Sequence, residues 1–301
     1  MTTVVQIVQE LEASLGEADS ELTPLDGGIT NRNFKVNMGG RAYVVRVPGK
    51  DTSLLGIDRG TERDSGELAS GLGIAPKVVA MGTDPAYLVT EFVEGETLTP
   101  ERLREPENLE SVATALRALH SSGAHLNKSF DSFRVVEEYA RTASERGVDV
   151  PEAYKEAHGH STRIEAALSG PEHEHVPCHN DLLAANFIRG DRFWVVDWDY
   201  AGMGNRYFDL GNFTVNNELD EAEIATFLRD YFQEEPGERR AATLMLFRFM
   251  SDFREAMWGV VQKGISDLDF DFDDYALKHF SRMHDASAHP DFERWLEQAA
   301  G

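Results

Sequence analysis

The stretch His179-Asn180-Asp181-Leu182-Leu183-Ala184-Ala185-Asn186, with Asp197 following at the end of the apolar run Phe193-Trp194-Val195-Val196, constrains this chain more than any other segment. Phosphoryl transfer asks for one carboxylate to accept or orient the proton of the attacking hydroxyl and for oxygen-bearing side chains that hold magnesium on the phosphates. Asp181 fits the first role, and Asn186 with Asp197 fits the second. A plainer reading gives the same residues only turn caps and a hairpin start, so the rest of the chain has to decide between the two.

Asn186-Phe187-Ile188-Arg189 and Phe193-Trp194-Val195-Val196 are short β-prone runs separated by Gly190-Asp191, a tight hairpin signal that puts Asp197 at a strand end. Magnesium prefers hard oxygen ligands and keeps waters and phosphate oxygens in its shell, so one carboxylate and one amide oxygen suffice from the protein. The Asp-x-x-x-x-Asn interval, opened by a His two residues earlier, is also the spacing of kinase catalytic loops.

At 301 residues and 41% hydrophobic content, with a mean hydropathy of −0.40, the chain has the makings of one large domain or two lobes with substantial cores. No apolar run approaches the roughly 20 residues that cross a bilayer, and Met1 to Leu15 lacks the basic start and continuous apolar centre of a secretory signal. A cytoplasmic protein without membrane insertion is expected. The single Cys178 cannot form an internal disulfide and reads as a small buried hydrophobe. A net charge of −24 argues against a nucleic-acid partner, because phosphate backbones are held by clustered Lys and Arg. The acidity is compatible with a cationic small substrate, but it identifies none, since charge of this kind mostly tunes solubility and self-repulsion.

Val4, Val5, Ile7, Val8, Leu11 and Leu15 recur at helical spacing and predict an amphipathic first helix. The segment from Leu25 to Val36 is a glycine-containing turn leading into a strand, with Gly28, Thr30 and Asn31 able to meet phosphate oxygens through backbone N–H groups and short polar side chains. A second strand runs through Tyr43-Val44-Val45-Arg46-Val47, and Arg46 places a cation where kinases keep the residue that grips the α- and β-phosphates. A helix is expected to begin near Ile57-Asp58-Arg59, with Glu62 as the partner that fixes Arg46 and Glu67 as the alternative. Residues 74–80 and 86–93 read as two further strands, and Glu94-Gly95-Glu96 as a linker. The expected division is therefore a nucleotide-binding lobe over 1–94 and a helical lobe over 95–301. Helical patterns follow up to His120 and around 133–146, 152–168, 221–233, 238–263 and 272–285, with no internal repeat and no low-complexity tract.

With these pieces placed, the chain resembles the choline/ethanolamine kinase family, within the aminoglycoside-phosphotransferase-like enzymes that share the protein-kinase fold. The likeness runs from Leu25 to about Gln262. It rests on Gly27-Gly28-Ile29-Thr30-Asn31-Arg32-Asn33-Phe34, on Val45-Arg46-Val47-Pro48-Gly49, on His179-x-Asp181 to Asn186, on Asp197-Trp198-Asp199-Tyr200, and on Arg206-Tyr207-Phe208-Asp209-Leu210-Gly211-Asn212. The resemblance implies an α+β, two-lobe fold, ATP and Mg2+ as cosubstrate and cofactor, and a small amino alcohol such as choline or ethanolamine as acceptor. It implies Asp181 as catalytic base, Asn186 and Asp197 as magnesium ligands, and backbone groups of Glu91 and Val93 at the adenine edge. Asp209 becomes a buried brace for the catalytic loop, and Asp199, Tyr200 and Trp258 become acceptor-site residues.

The chain departs from the family at two places. Val261 stands where choline kinases commonly carry a second Trp, and Asn216 where eukaryotic members carry a Glu near the cation. An aminoglycoside or sugar kinase on the same fold, and a non-catalytic nucleotide-binding protein, are the alternatives. The run from Arg206 to Asn212 together with Trp258 counts against the first, and the joint presence of Asp181, Asn186 and Asp197 against the second.

Overall fold

The computed structural model describes residues 2–19, 21–25, 31–83, 86–168, 170 and 173–301; Gly28 and Thr30, expected to meet phosphate, lie outside the described residues. Helix α1 (Thr2–Leu15) leads into strands β1 (Thr23–Leu25), β2 (Asn31–Met38) and β3 (Arg41–Pro48). Gly39 and Gly40, at φ 56° and 76°, close the β2–β3 hairpin in the left-handed backbone region that such two-residue turns require. Helix α2 (Arg59–Gly71) follows, and β4 (Val78–Thr83) and β5 (Ala86–Glu91) complete an antiparallel sheet in the order β1-β2-β3-β5-β4.

Alternation along these strands divides their labour. Val36, Met38, Tyr43, Val45, Val47 and Val89 pack against Val4, Ile7, Val8 and Leu11 of α1. The opposite parity sends Asn33, Val44 and Arg46 to the cleft. Val5, counted in the helical stripe from sequence, instead faces solvent at 49% exposure. The strand expected from residue 74 starts only at Val78, because Pro76 lacks the N–H a ladder needs. The segment ahead of it is pinned differently, the Val195 N–H donating to the Ile74 carbonyl at 2.7 Å.

Gly95 and Glu96, expected with Glu94 as a linker, belong to strand β6 (Gly95–Thr97), and its partner lies in the second lobe: β8 (Phe187–Gly190), itself paired with β9 (Phe193–Val195). A Cβ at Gly95 would sit 2.7 Å from the Arg189 carbonyl oxygen, so this closeness needs glycine. The remaining elements are α3 (Pro100–Leu103), α4 (Pro106–His120), α5 (Ser132–Glu145), α6 (Ala153–Ala167), β7 (His175–Cys178), β10 (Gly202–Asn205), α7 (Arg206–Asn216), α8 (Glu221–Phe232), α9 (Gly237–Ile265), α10 (Phe272–Ser287) and α11 (Phe292–Ala300). Two lobes, one a sheet with helices and one mainly helical, make this an α+β fold.

The 29-residue α9 runs through the middle of the second lobe and packs against α5, α7, α10 and α11. Its crossing with α7 depends on Gly211, where a Cβ would lie 2.6 Å from the Phe247 backbone carbon and 2.8 Å from the Arg248 nitrogen. Gly211→Ala is therefore expected to destabilise the protein by about 1–3 kcal/mol through overpacking, read as a lower urea midpoint with an unchanged slope.

Candidate active site

The catalytic loop leaves β7 and is held from below by one carboxylate. Asp209, fully buried on α7, accepts from the His179 N–H at 2.9 Å and from the Asn180 N–H at 2.7 Å, and His120 Nε2 lies 3.0 Å from it. This is the brace the resemblance implied. Asn180 adopts φ 67°, a left-handed conformation that asparagine tolerates better than most residues and that the Asp209 contacts maintain. Further along, Leu182 donates its N–H to Asn212 Oδ1 at 2.6 Å and accepts from Asn217 Nδ2 at 3.0 Å.

His179 is neutral, since burial holds its pKa below the ordinary imidazole value. With Nε2 donating to the Val196 carbonyl at 3.0 Å, Nδ1 is the lone-pair nitrogen that meets the Asp181 N–H at 3.3 Å. The imidazole therefore ties the loop to Val196, between the end of β9 and Asp197. Asn186 Nδ2 donates to the Asp181 carbonyl at 2.8 Å, which leaves Oδ1 as the amide's ligand atom. Asp197, at φ 66°, turns the chain sharply out of the hairpin.

Arg46 joins the lobes. Its Nη1 lies 3.0 Å from Glu62 Oε1, 2.8 Å from Asp197 Oδ1 and 2.9 Å from Asp199 Oδ1. Glu62 is the partner the sequence favoured, whereas Glu67 is exposed on the far side of α2. Arg59, which sequence reasoning passed over, completes the cluster: Nη1 reaches Glu62 Oε2 at 2.7 Å and Asp199 Oδ1 at 3.0 Å, and Nη2 reaches Thr52 and Asn31. Its signal was the three-residue step to Glu62, one helical turn on the same face.

Burial raises the Asp197 carboxyl, and Asp199 adds to the rise against the opposing pull of Arg46. For Asp199 burial pulls the same way, but Arg46 and Arg59 prevail and hold it below the ordinary carboxylate value. Asp199, expected at the acceptor site, lies in the Arg46–Arg59 cluster. At 4% exposure, it is shared between two guanidiniums and the Asn31 amide.

Three carboxylates, Glu62, Asp197 and Asp199, face two guanidiniums here, and burial together with the neighbouring Asp199 pushes the Glu62 carboxyl up to about 7. Asp197 and the Asn186 amide oxygen are a hard-oxygen pair of the kind that suits magnesium. Beside them opens a cavity of about 400 Å³, walled by Val44, Ala75, Val78, Leu88, Phe92 and Val93 and ending in Arg46, Glu62, Asn186 and Asp197. An apolar slot with charges at one end suits a purine base and its phosphates. Asn33 Oδ1 lines the slot as a buried acceptor without a partner, ready for a hydroxyl or amine donor. Val93 lines the slot as expected, while Glu91 has its N–H committed to the Lys77 carbonyl at 2.9 Å.

On the other side of Asp181, Trp258 Nε1 donates to the Tyr200 hydroxyl at 2.9 Å, and both rings are buried. The structure thus brings these two expected acceptor residues together beside the catalytic loop. Arg254, on α9 four residues before Trp258, bridges Tyr200 and Asp181, its guanidinium carbon 4.3 Å from the Tyr200 ring centroid and its Nη1 3.3 Å from Asp181 Oδ1. Burial pushes the Asp181 carboxyl up to about 7, with Arg254 pulling against it. Val261 is fully buried core.

A nucleotide-sized slot between two lobes, a carboxylate on a braced loop and an oxygen pair for a cation define a phosphotransferase whose acceptor is an alcohol group. Comparison with known proteins narrows this class. The Choline/ethanolamine kinase profile matches residues 22–284. Ethanolamine kinase 2 of Rattus norvegicus is 30% identical over 268 residues, covering 79% of this chain and 68% of that protein. Among solved structures, a choline/ethanolamine kinase family protein from Mesorhizobium loti is 27% identical over 100% of this chain and 99% of that one, with a TM-score of 0.84. Choline kinase LicA from Streptococcus pneumoniae is 25% identical over 95% and 99%, with a TM-score of 0.82. The chain belongs to the choline/ethanolamine kinase family.

Proposed function

We propose that this protein transfers the γ-phosphoryl group of ATP to the hydroxyl of a small amino alcohol, ethanolamine or choline first among them, with magnesium as cofactor. The observation that carries the reading is Asp181 on a loop fixed by Asp209 and Asn212, tied through its carbonyl to Asn186 of the nucleotide slot and through its carboxylate to Arg254, which lies on the Tyr200 ring. Supporting it, relatives of this chain include an ethanolamine kinase and a choline kinase. When bound, magnesium neutralises charge on the β- and γ-phosphates. Asn186 and Asp197 hold it, Arg46 grips phosphate oxygens with its direction set by Glu62 and Arg59, and Asp181 takes the acceptor's proton. The apolar slot excludes water around the base and ribose. On the acceptor side, an aromatic face attracts an ammonium by about 0.5–2 kcal/mol; Trp258 offers one, while the Tyr200 ring already carries the Arg254 guanidinium 4.3 Å from its centroid and braces Trp258 through its hydroxyl.

ADP release should be followed with ethanolamine, choline and an aminoglycoside panel, with and without magnesium. Turnover with the amino alcohols, abolished by EDTA and restored by magnesium, is the expected result; turnover confined to aminoglycosides, or none with any alcohol, overturns the reading. Asp197→Asn is expected to raise the magnesium concentration for half-maximal rate by about tenfold or more, since a lost carboxylate ligand weakens a site that has one other protein ligand. An unchanged magnesium dependence would remove Asp197 from that role.

A further inference from the structure

Helix α9 is apolar where it crosses the second lobe, yet it buries two adjacent charges there: Arg254 is 1% exposed and Glu255 2%. Arg254 Nη1 donates to Glu255 Oε1 at 2.6 Å and to Asp181 Oδ1 at 3.3 Å. Glu255 is anchored in turn by the Tyr275 hydroxyl, which donates to Oε2 at 2.8 Å, and by Asn212 Nδ2 at 3.4 Å from Oε1. Asn212 is also the residue that accepts the Leu182 N–H, so the anchor and the catalytic loop share one support.

The arrangement is expensive. Arg254 Nε and Nη2 are buried without hydrogen-bond partners, and buried ion pairs of this kind are often no more stabilising than apolar side chains of equal volume. Stability alone therefore does not account for a guanidinium at this point. Its position does, because one oxygen of Asp181 is tied down and the other is left to meet the acceptor.

We propose that Arg254, fixed by Glu255, is a positioning residue for phosphoryl transfer: it clamps Asp181 Oδ1 so that Oδ2 faces the acceptor hydroxyl. The inference rests on Asp181 being the proton acceptor. In the transfer the acceptor O–H bond breaks and its proton passes to Oδ2. The acceptor oxygen's electron pair forms the new bond to the γ-phosphorus, and the bond from that phosphorus to the bridging oxygen breaks with its electrons leaving on ADP. Asp181 is then neutral, and Glu255 remains as the counter-charge that keeps Arg254 from being stranded. A buried arginine with one carboxylate would lose its partner at that moment; one with two does not.

Arg254→Met is expected to lower kcat by about 100-fold, the size of effect that a misplacement near 1 Å produces, with the KM for MgATP within about threefold of the native value. Arg254→Lys, which keeps the charge but cannot span both carboxylates as well, should recover at least about tenfold of that loss. Crystal structures of the variants should show the Asp181 carboxylate rotated out of the position it holds in the native protein. Where Arg254→Met fails to fold, Arg254→Lys and Glu255→Gln carry the test, both expected to lower kcat with the nucleotide KM retained. A kcat within threefold of native in these variants, an unmoved Asp181, or parallel loss of nucleotide binding and turnover overturns the proposal. If the native protein phosphorylates no amino alcohol, the functional reading fails by itself, and the Asp181 rotamer in native and Arg254→Lys crystals still decides the clamp.

Discussion

Replacing Asp181 with alanine is expected to lower kcat by between about 10² and 10⁴-fold, the range that a positioned general base supplies, while MgATP binding stays close to native. The separation follows from where the groups sit. The nucleotide slot is built from β3, β4, β5 and the residues leading into β6, with Arg46, Asn186 and Asp197 at its charged end, and Asp181 is not among its lining residues. Loss confined to kcat marks an interaction made at the reacting centre, whereas a matching rise in KM would mark one made equally in the ground state. The pH dependence has a definite sign. Burial raises the Asp181 carboxyl above its ordinary range, so the ionised form that can take a proton disappears as pH falls, and the acid limb of the native kcat/KM profile lies at higher pH than for an exposed aspartate. Native-like turnover by the alanine variant, measured by ADP release, would assign the proton to some other group.

The catalytic loop was legible because its chemistry is local: Asp181, Asn186 and Asp197 stand close in sequence and flank one hairpin, β8–β9. The pairing of Arg46 with Glu62 was legible for a similar reason, since a strand cation followed by a helix carboxylate has few alternatives. Arg59 and Arg254 were not. Each earns its place through partners far along the chain, Asp199 in one case and Asp181 in the other, and an arginine on a helix reads as a solvated residue until the fold closes over it. In Arg254 a clue existed, because it lies four residues before Trp258 and four after Met250, on a face that is otherwise core. The partners of Asp199 were not legible either: a carboxylate two residues from Asp197 looks free in sequence, and only the three-dimensional arrangement shows two guanidiniums on it. Strand β6 was read as a linker because three residues rich in Glu and Gly carry no β signal of their own; its strand character comes from the partner Phe187–Gly190.

Asp209→Ala should be the most damaging single change to stability. The side chain is fully buried and serves three groups at once, the amides of His179 and Asn180 and the His120 ring. His120 Nδ1 in turn lies 2.7 Å from the Tyr231 hydroxyl, so the carboxylate ends a chain that reaches across to α8. Cys178 stands within 4.8 Å of His120 and Asp209, a grouping that could suggest a metal. The donor set argues otherwise: both imidazole nitrogens and both carboxylate oxygens are engaged, and burial pushes the thiol well above its ordinary pKa, keeping it protonated. The node is therefore held by hydrogen bonds alone. Alanine would strand two buried N–H groups at about 1–3 kcal/mol each and release Asn180 from its left-handed backbone conformation. A net loss of about 3–5 kcal/mol is expected, or a Tm lower by roughly 10 °C in a domain of this size. Activity should fall with it even below the melting range, because the loop that carries Asp181 loses its floor. A thermal scan that leaves the variant within 2 °C or so of native, a shift under about 1 kcal/mol, would mean that the loop keeps its shape without this carboxylate.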